Sequence, residues 1–181
     1  DSDEPQTPRD ASIEFANVSF AYDKIQVLNN VSFTVPPGTV TALVGVSGAG
    51  KSTIAMLTAR FWDIEDGEIR IGGSNIKQIR TEDLMNIVSF VFQDNMLFFD
   101  TIEENIRMGN KTATKDNVIA AAKAALCHDF IMQLEKGYDT LVGEGGTYLS
   151  GGEAQRVALA RAILKDAPII LLDEATAYAD P

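Results

Sequence analysis

Apolar residues alternate with polar ones at Ile13, Phe15 and Val18, and again at Phe20 and Tyr22, which is the period of half-buried strands. A second such run spans Val31 to Val35 before the turn Pro36-Pro37-Gly38, so an antiparallel β portion is predicted first. The apolar run Val40 to Val44 predicts a further strand, and the pattern from Ile54 to Trp62 predicts a helix. Asp66-Gly67 and Gly72-Gly73 bracket a short strand from Glu68 to Ile71. Thr81-Glu82-Asp83 carries the oxygen cap and early acids of a helix start, and Ile87 to Phe92 predicts a buried strand ending at Gln93.

From Gln93 to Pro168 the pattern is mostly helical. Thr101-Ile102-Glu103-Glu104 predicts a capping box, and Val118, Ala121, Ala122, Ala125 and Leu126 recur at helix spacing. Glycines 143, 145 and 146 break the pattern before a helix from about Gly151 to Leu164. Pro168 then opens Ile169-Ile170-Leu171-Leu172, a fully apolar strand ending in Asp173-Glu174. The whole reads as an α/β core with an antiparallel β portion and an α-helical insertion at about residues 95–165. No internal repeat is visible.

Composition narrows the class. With 181 residues and 45% hydrophobic content, the chain has the size of one globular domain, or of one domain lacking a piece. Residues 1–12 are polar and acidic, with Pro5 and Pro8, and read as a linker; the domain is expected over 13–181. A net charge of −11 argues against a nucleic-acid partner, because phosphate backbones reward clustered Lys and Arg. The single cysteine, Cys127, has no partner for an internal disulfide, and the start does not resemble a signal peptide, so a reducing, cytosolic setting is expected. No apolar run approaches the roughly 18 residues of a membrane span, so a membrane role would come through another segment or a partner.

The candidate chemistry centres on Gly45-Val46-Ser47-Gly48-Ala49-Gly50-Lys51-Ser52-Thr53, which fits Gly-x-x-x-x-Gly-Lys-[Ser/Thr] between a predicted strand and a predicted helix. Gly45, Gly48 and Gly50 let the backbone bend so that the amides of this loop, including those of Ser47 and Ala49, face a polyphosphate at a helix start. Lys51 would reach the β and γ phosphates, Ser52 would offer its hydroxyl to Mg²⁺, and Thr53 would add a donor near the α phosphate. The plain alternative is a glycine-rich turn that binds nothing. The strand ending in Asp173-Glu174 is the expected partner of such a cradle: Asp173 would hold Mg²⁺, and Glu174 would polarise or deprotonate the attacking water. Taken alone, two acids there could equally begin a solvated loop.

Leu149-Ser150-Gly151-Gly152-Glu153, followed by Gln155-Arg156 and Ala160-Arg161-Ala162, resembles the signature that defines ABC-type ATPases. The order of cradle, Gln93, signature and Asp-Glu strand matches that family over nearly all of residues 13–181. The resemblance implies a P-loop NTPase core and ATP as the nucleotide. It implies that Tyr22 stacks on adenine, although a strand-edge tyrosine is the ordinary reading. Gln93 would contact Mg²⁺ and the water and link to a transmembrane partner. Ser150, Gly151 and Gly152 would close on the γ phosphate of ATP held by a second ATPase domain, in a head-to-tail dimer with two ATP molecules. A helix start suits an anion there for the same reason as in the cradle.

Further motifs resemble the exporter-fold branch. These are Gln93-Asp94-Asn95 with Leu97-Phe98, then Thr101-Ile102 and Glu104-Asn105-Ile106, and the contact loop Val142-Gly143-Glu144. The resemblance implies a transmembrane domain fused upstream of residue 1 and a place on the cytoplasmic face of a cell membrane. Three departures stand out. Glu153 occupies a position that is most often glutamine, adding a negative charge near the partner's nucleotide. Ala177-Tyr178-Ala179-Asp180 differs from the commoner Ser-Ala-Leu-Asp while keeping Asp180. The family's switch histidine lies beyond the Asp-Glu strand, whereas His128 precedes the signature, so the chain reads as a truncated domain that binds ATP and hydrolyses it feebly. Cys127 and His128 lack the neighbours of a metal site. Two other readings stay open: a soluble ABC ATPase acting on DNA or ribosomes, and a weakly hydrolysing regulatory domain.

Overall fold

The computed structural model describes residues 5–93 and 96–173, which fall into two compact units dividing between Val88 and Ser89. Glu174, the Asp94-Asn95 pair and Ala177–Asp180 lie outside the described residues.

The first unit is built on two long strands, β1 (Ile13–Tyr22) and β2 (Ile25–Val35), with α1 (Lys51–Thr58), β3 (Asp66–Ile71), β4 (Ser74–Asn75) and α2 (Thr81–Ile87) following. The four strands form one sheet in the order β2-β1-β3-β4, each neighbouring pair antiparallel. The apolar positions of β1 change phase because Asn17 takes φ 51°, and both partner strands shift register between Phe15 and the residues that follow Asn17. One extra residue flips every later side chain to the other face. Phe15 and Val18 therefore both point inward, at 1% and 0% exposure, although they are three residues apart. Ile69, Ile71, Leu57 and Leu84 complete this buried set.

Residues 6–12 lie along the β3–β4 turn. Gln6 N–H donates to Gln78 O (2.9 Å), Arg9 N–H to Gly72 O (3.1 Å), and Gly72 N–H to Ser12 O (2.9 Å).

Two sequence expectations fail in this unit. Val40–Val44 forms no strand, and Val40 and Val44 are fully solvent-exposed. A strand exists through its ladder of hydrogen bonds, and among the described residues no strand pairs with this run. The cap of α2 is not Thr81, which is already helical; Arg80 holds that place without a side-chain cap and pairs instead with Asp83 (2.7 Å).

The second unit opens within β5 (Val88–Val91), which shares a two-stranded ladder with β8 (Ile169–Leu172). Between them lie β6 (Asp100–Thr101), α3 (Ile102–Arg107), α4 (Lys115–Ala124), α5 (His128–Gln133), β7 (Leu141–Val142) and α6 (Gly151–Lys165). Ile102, Ile106, Val118, Ala122, Ile131, Val157 and Ala160 form the helical core at 0% exposure. Small alanines on α4 and α6 let these helices approach closely.

Three local expectations change here. Leu126 leaves the predicted apolar face: it takes φ 56° at the end of α4 and is exposed. Thr101 does cap α3, accepting from Glu104 N–H at 3.1 Å, but the Glu104 carboxylate turns to Arg107 rather than closing a box. The strand β8 is buried on one face only: Ile169 is buried while Ile170 and Leu172 are exposed, the alternation of a strand with one face covered.

Candidate functional site

In the first unit the chain reaches α1 through two glycines in the left-handed region, Gly48 at φ 80° and Gly50 at φ 86°. Gly50 is the N-cap of α1 and makes no side-chain cap, so the helix starts on bare backbone, the arrangement that leaves orphan N–H groups for an anion. A Cβ on Gly50 would lie 2.6 Å from Leu28 Cδ2, so β2 closes the space behind the loop. Residues 41–49 are exposed to solvent. Lys51 is the first helical residue, and its ammonium folds back to donate to Gly45 O (3.0 Å) and Val46 O (2.9 Å). The lysine thus bridges the two ends of the cradle. Ser52 follows it on the first turn, and Thr53 is buried.

Tyr22, the last residue of β1, comes to the cradle helix. Its hydroxyl lies 3.4 Å from Thr53 Oγ1 and 3.8 Å from Met56 Sδ. Its ring meets Trp62 edge-on, with centroids 5.4 Å apart, and Phe20 likewise at 4.9 Å. Sequence reading singled out Tyr22 but not Trp62, whose half-exposed ring extends the same aromatic group; the signal available was the chain's single tryptophan at the end of a helical pattern.

In the second unit Asp173 is buried at 8% exposure just past β8, and its N–H donates to Val91 O at 3.0 Å. That bond lies two residues before Gln93, so the ends of β5 and β8 bring the Gln93 and Asp173 strands side by side. Glu174 lies outside the described residues. Mg²⁺ takes hard oxygen ligands, few of them from protein and the rest from water and phosphate, and within this unit Gln93 and Asp173 carry oxygens of that kind.

Ser150 is the N-cap of α6. Its Oγ accepts from Glu153 N–H (3.3 Å), and Glu153 Oε2 accepts from both Ser150 N–H and Ser150 Oγ–H, each at 2.8 Å. This is a complete capping box, and its Ser-x-x-Glu pattern was legible in the sequence. Gly151 and Gly152 form the first turn, and Ser150 and Gly151 are exposed.

A second group was not found from sequence as a unit. Asn105 is fully buried. Its side chain donates to Phe98 O (2.9 Å) and Thr101 O (3.0 Å) and accepts from Phe98 N–H (2.9 Å). Arg161 of α6 donates to Asn105 O (2.8 Å) and Oδ1 (3.0 Å), and its guanidinium lies 5.6 Å from the Phe98 ring centroid. Burial lowers the Arg161 pKa from its ordinary value. Gly143 packs on the same segment, with room for no Cβ: one would lie 2.6 Å from the Phe98 carbonyl carbon. The exporter-like segment, the contact loop and the signature helix are therefore joined in one packed group, leaving Met96, Phe98 and Phe99 exposed.

Cys127 is buried, and burial pushes its thiol up to about 12, so it remains an inert core group. His128 bonds Tyr138 Oη at 2.9 Å.

Comparison with known proteins shows the family. The ABC transporter family profile matches residues 28–177. ATP-binding cassette sub-family B member 6 of Homo sapiens is 57% identical over 169 residues, covering 93% of this chain and 20% of that protein. The ATP-dependent lipid A-core flippase of Syntrophus aciditrophicus (strain SB) is 48% identical over 168 residues, covering 93% of this chain and 28% of that protein. The solved structure of a bacterial Atm1-family ABC exporter with ATP bound superimposes with a TM-score of 0.92 at 47% identity, over 98% of this chain and 31% of that one. The chain thus spans less than a third of the length of these relatives, and its fold is the α/β P-loop NTPase fold.

Proposed function

Since the chain belongs to the ABC transporter family, we propose that it is the ATP-binding and hydrolysing domain of an exporter-fold transporter, powering movement of a substrate across a membrane. The observation that carries this reading is the cradle: exposed loop backbone, two left-handed glycines and Lys51 at the uncapped start of α1. In this reading the amides of Gly45, Ser47, Gly48, Ala49 and Gly50 hold the ATP phosphates. Lys51 leaves the carbonyls of Gly45 and Val46 for the β and γ phosphates, and Thr53 supports the α phosphate. Tyr22, with Trp62 beside it, offers an aromatic face to adenine.

Ser52, Gln93 and Asp173 would hold Mg²⁺, which when bound neutralises charge on the transferring phosphate. Glu174 accepts the proton of the attacking water. Ser150, Gly151 and Gly152 face the γ phosphate of ATP held by a second ATPase domain, so ATP closes a head-to-tail dimer and hydrolysis reopens it. No helix among the described residues is long and apolar enough to cross a membrane. The membrane path belongs to a transmembrane domain, and the exposed Met96, Phe98 and Phe99 are the surface on which it would press from the cytoplasmic face.

The test is Glu174→Gln in the full chain. ATP binding persists, turnover falls by at least about a hundredfold, and an ATP-dependent dimer accumulates. Turnover at the parent rate would remove Glu174 from its role.

A further inference from the structure

We propose that Glu153 is a built-in occupant of the signature, so that ATP held by a second copy must displace its carboxylate from Ser150 before the dimer closes. The proposal rests on the reading above, in which Ser150 faces the partner's γ phosphate. The hydroxyl of Ser150 has one proton, and it is donated to Glu153 Oε2 at 2.8 Å. The backbone N–H of Ser150 is donated to the same oxygen at 2.8 Å. Both donors that Ser150 could turn toward a phosphate are therefore committed within the chain.

The charge matters as well as the bonds. The first turn of a fifteen-residue helix favours an anion, and here that place already holds one. An incoming γ phosphate meets a like charge one hydrogen bond away from its own donor, on a surface where Ser150 and Gly151 are exposed. Association is weakened at low ATP, and the domain stays open until nucleotide is abundant. Glu153 is thus a positioning residue: it acts through Ser150.

Cap and charge can be separated. A glutamine at this position accepts the same two bonds through its amide oxygen, so the capping box survives while the negative charge is lost. An alanine removes both. The experiment uses the full chain carrying Glu174→Gln, with Mg²⁺ present, and follows ATP-driven dimerisation by analytical ultracentrifugation. Adding Glu153→Gln should lower the ATP concentration at half-maximal association by about fivefold, with the melting temperature lowered by only about 1–3 °C through the lost charge at the helix start, and the gain should shrink in high salt. Glu153→Ala, which loses the cap as well, should lower the melting temperature further. Association at one shared midpoint for parent and Glu153→Gln, at low and high salt alike, would overturn this proposal alone. No ATP-driven association in either protein would overturn the dimer reading, and this proposal with it.

Discussion

Gly50 holds two constraints at one Cα. Its φ of 86° is costly for any residue with a Cβ, and the space a Cβ would take is filled by Leu28. Gly48 shares the first constraint, at φ 80°, but nothing lies within 4 Å of its Cβ position. The two can be told apart by mutation. Gly48→Ala should destabilise the protein by about 1–2 kcal/mol, the left-handed cost alone, whereas Gly50→Ala should cost more and also tilt the start of α1. Chemical denaturation of both variants, with ATP affinity measured alongside, checks the order; equal losses would mean that Leu28 yields freely. These glycines were legible in the sequence because a phosphate loop needs them at that spacing. The inward turn of Lys51 was not, since it depends on which carbonyls the folded loop presents.

Among the elements, α3 and α6 share an apolar core and are tied to each other by one buried amide as well. Asn105 satisfies backbone groups of Phe98 and Thr101 and receives Arg161, so its loss strands several polar groups in the core at once. Each orphaned buried group costs about 1–3 kcal/mol, which sets the expected loss for Asn105→Ala at roughly 3 kcal/mol and several degrees of melting temperature. Hydrogen exchange should also rise over residues 96–101, the segment that Asn105 tethers. A variant with parent stability and exchange would show that the tether is idle.

The elements differed in how far sequence revealed them. The helix from Gly151 was legible within a residue because Ser150 and Glu153 mark its start chemically and the alanine spacing marks its length. Strand β1 was legible in composition but not in its bulge, which rests on a positive φ at Asn17. The run Val40–Val44 misled for a physical reason: apolar, β-prone sequence becomes a strand only beside a partner, and pairing is not written in the run itself. The hub of Asn105 and Arg161 was hidden by separation, because its members lie 56 residues apart.

For the whole molecule, an acidic chain with net charge −11 must gather a polyanion against its own mean field. It can do so only through local donors, here the cradle amides and Lys51. The measurement that tests this most directly is equilibrium binding of ATP with Mg²⁺ to the chain and to its Lys51→Ala variant, both first shown to be folded. Saturable binding by the parent is expected, with roughly 10–100-fold weaker binding by the variant through the loss of charge-assisted bonds to phosphate. Equal binding by the two proteins, or none by the folded parent, would contradict it.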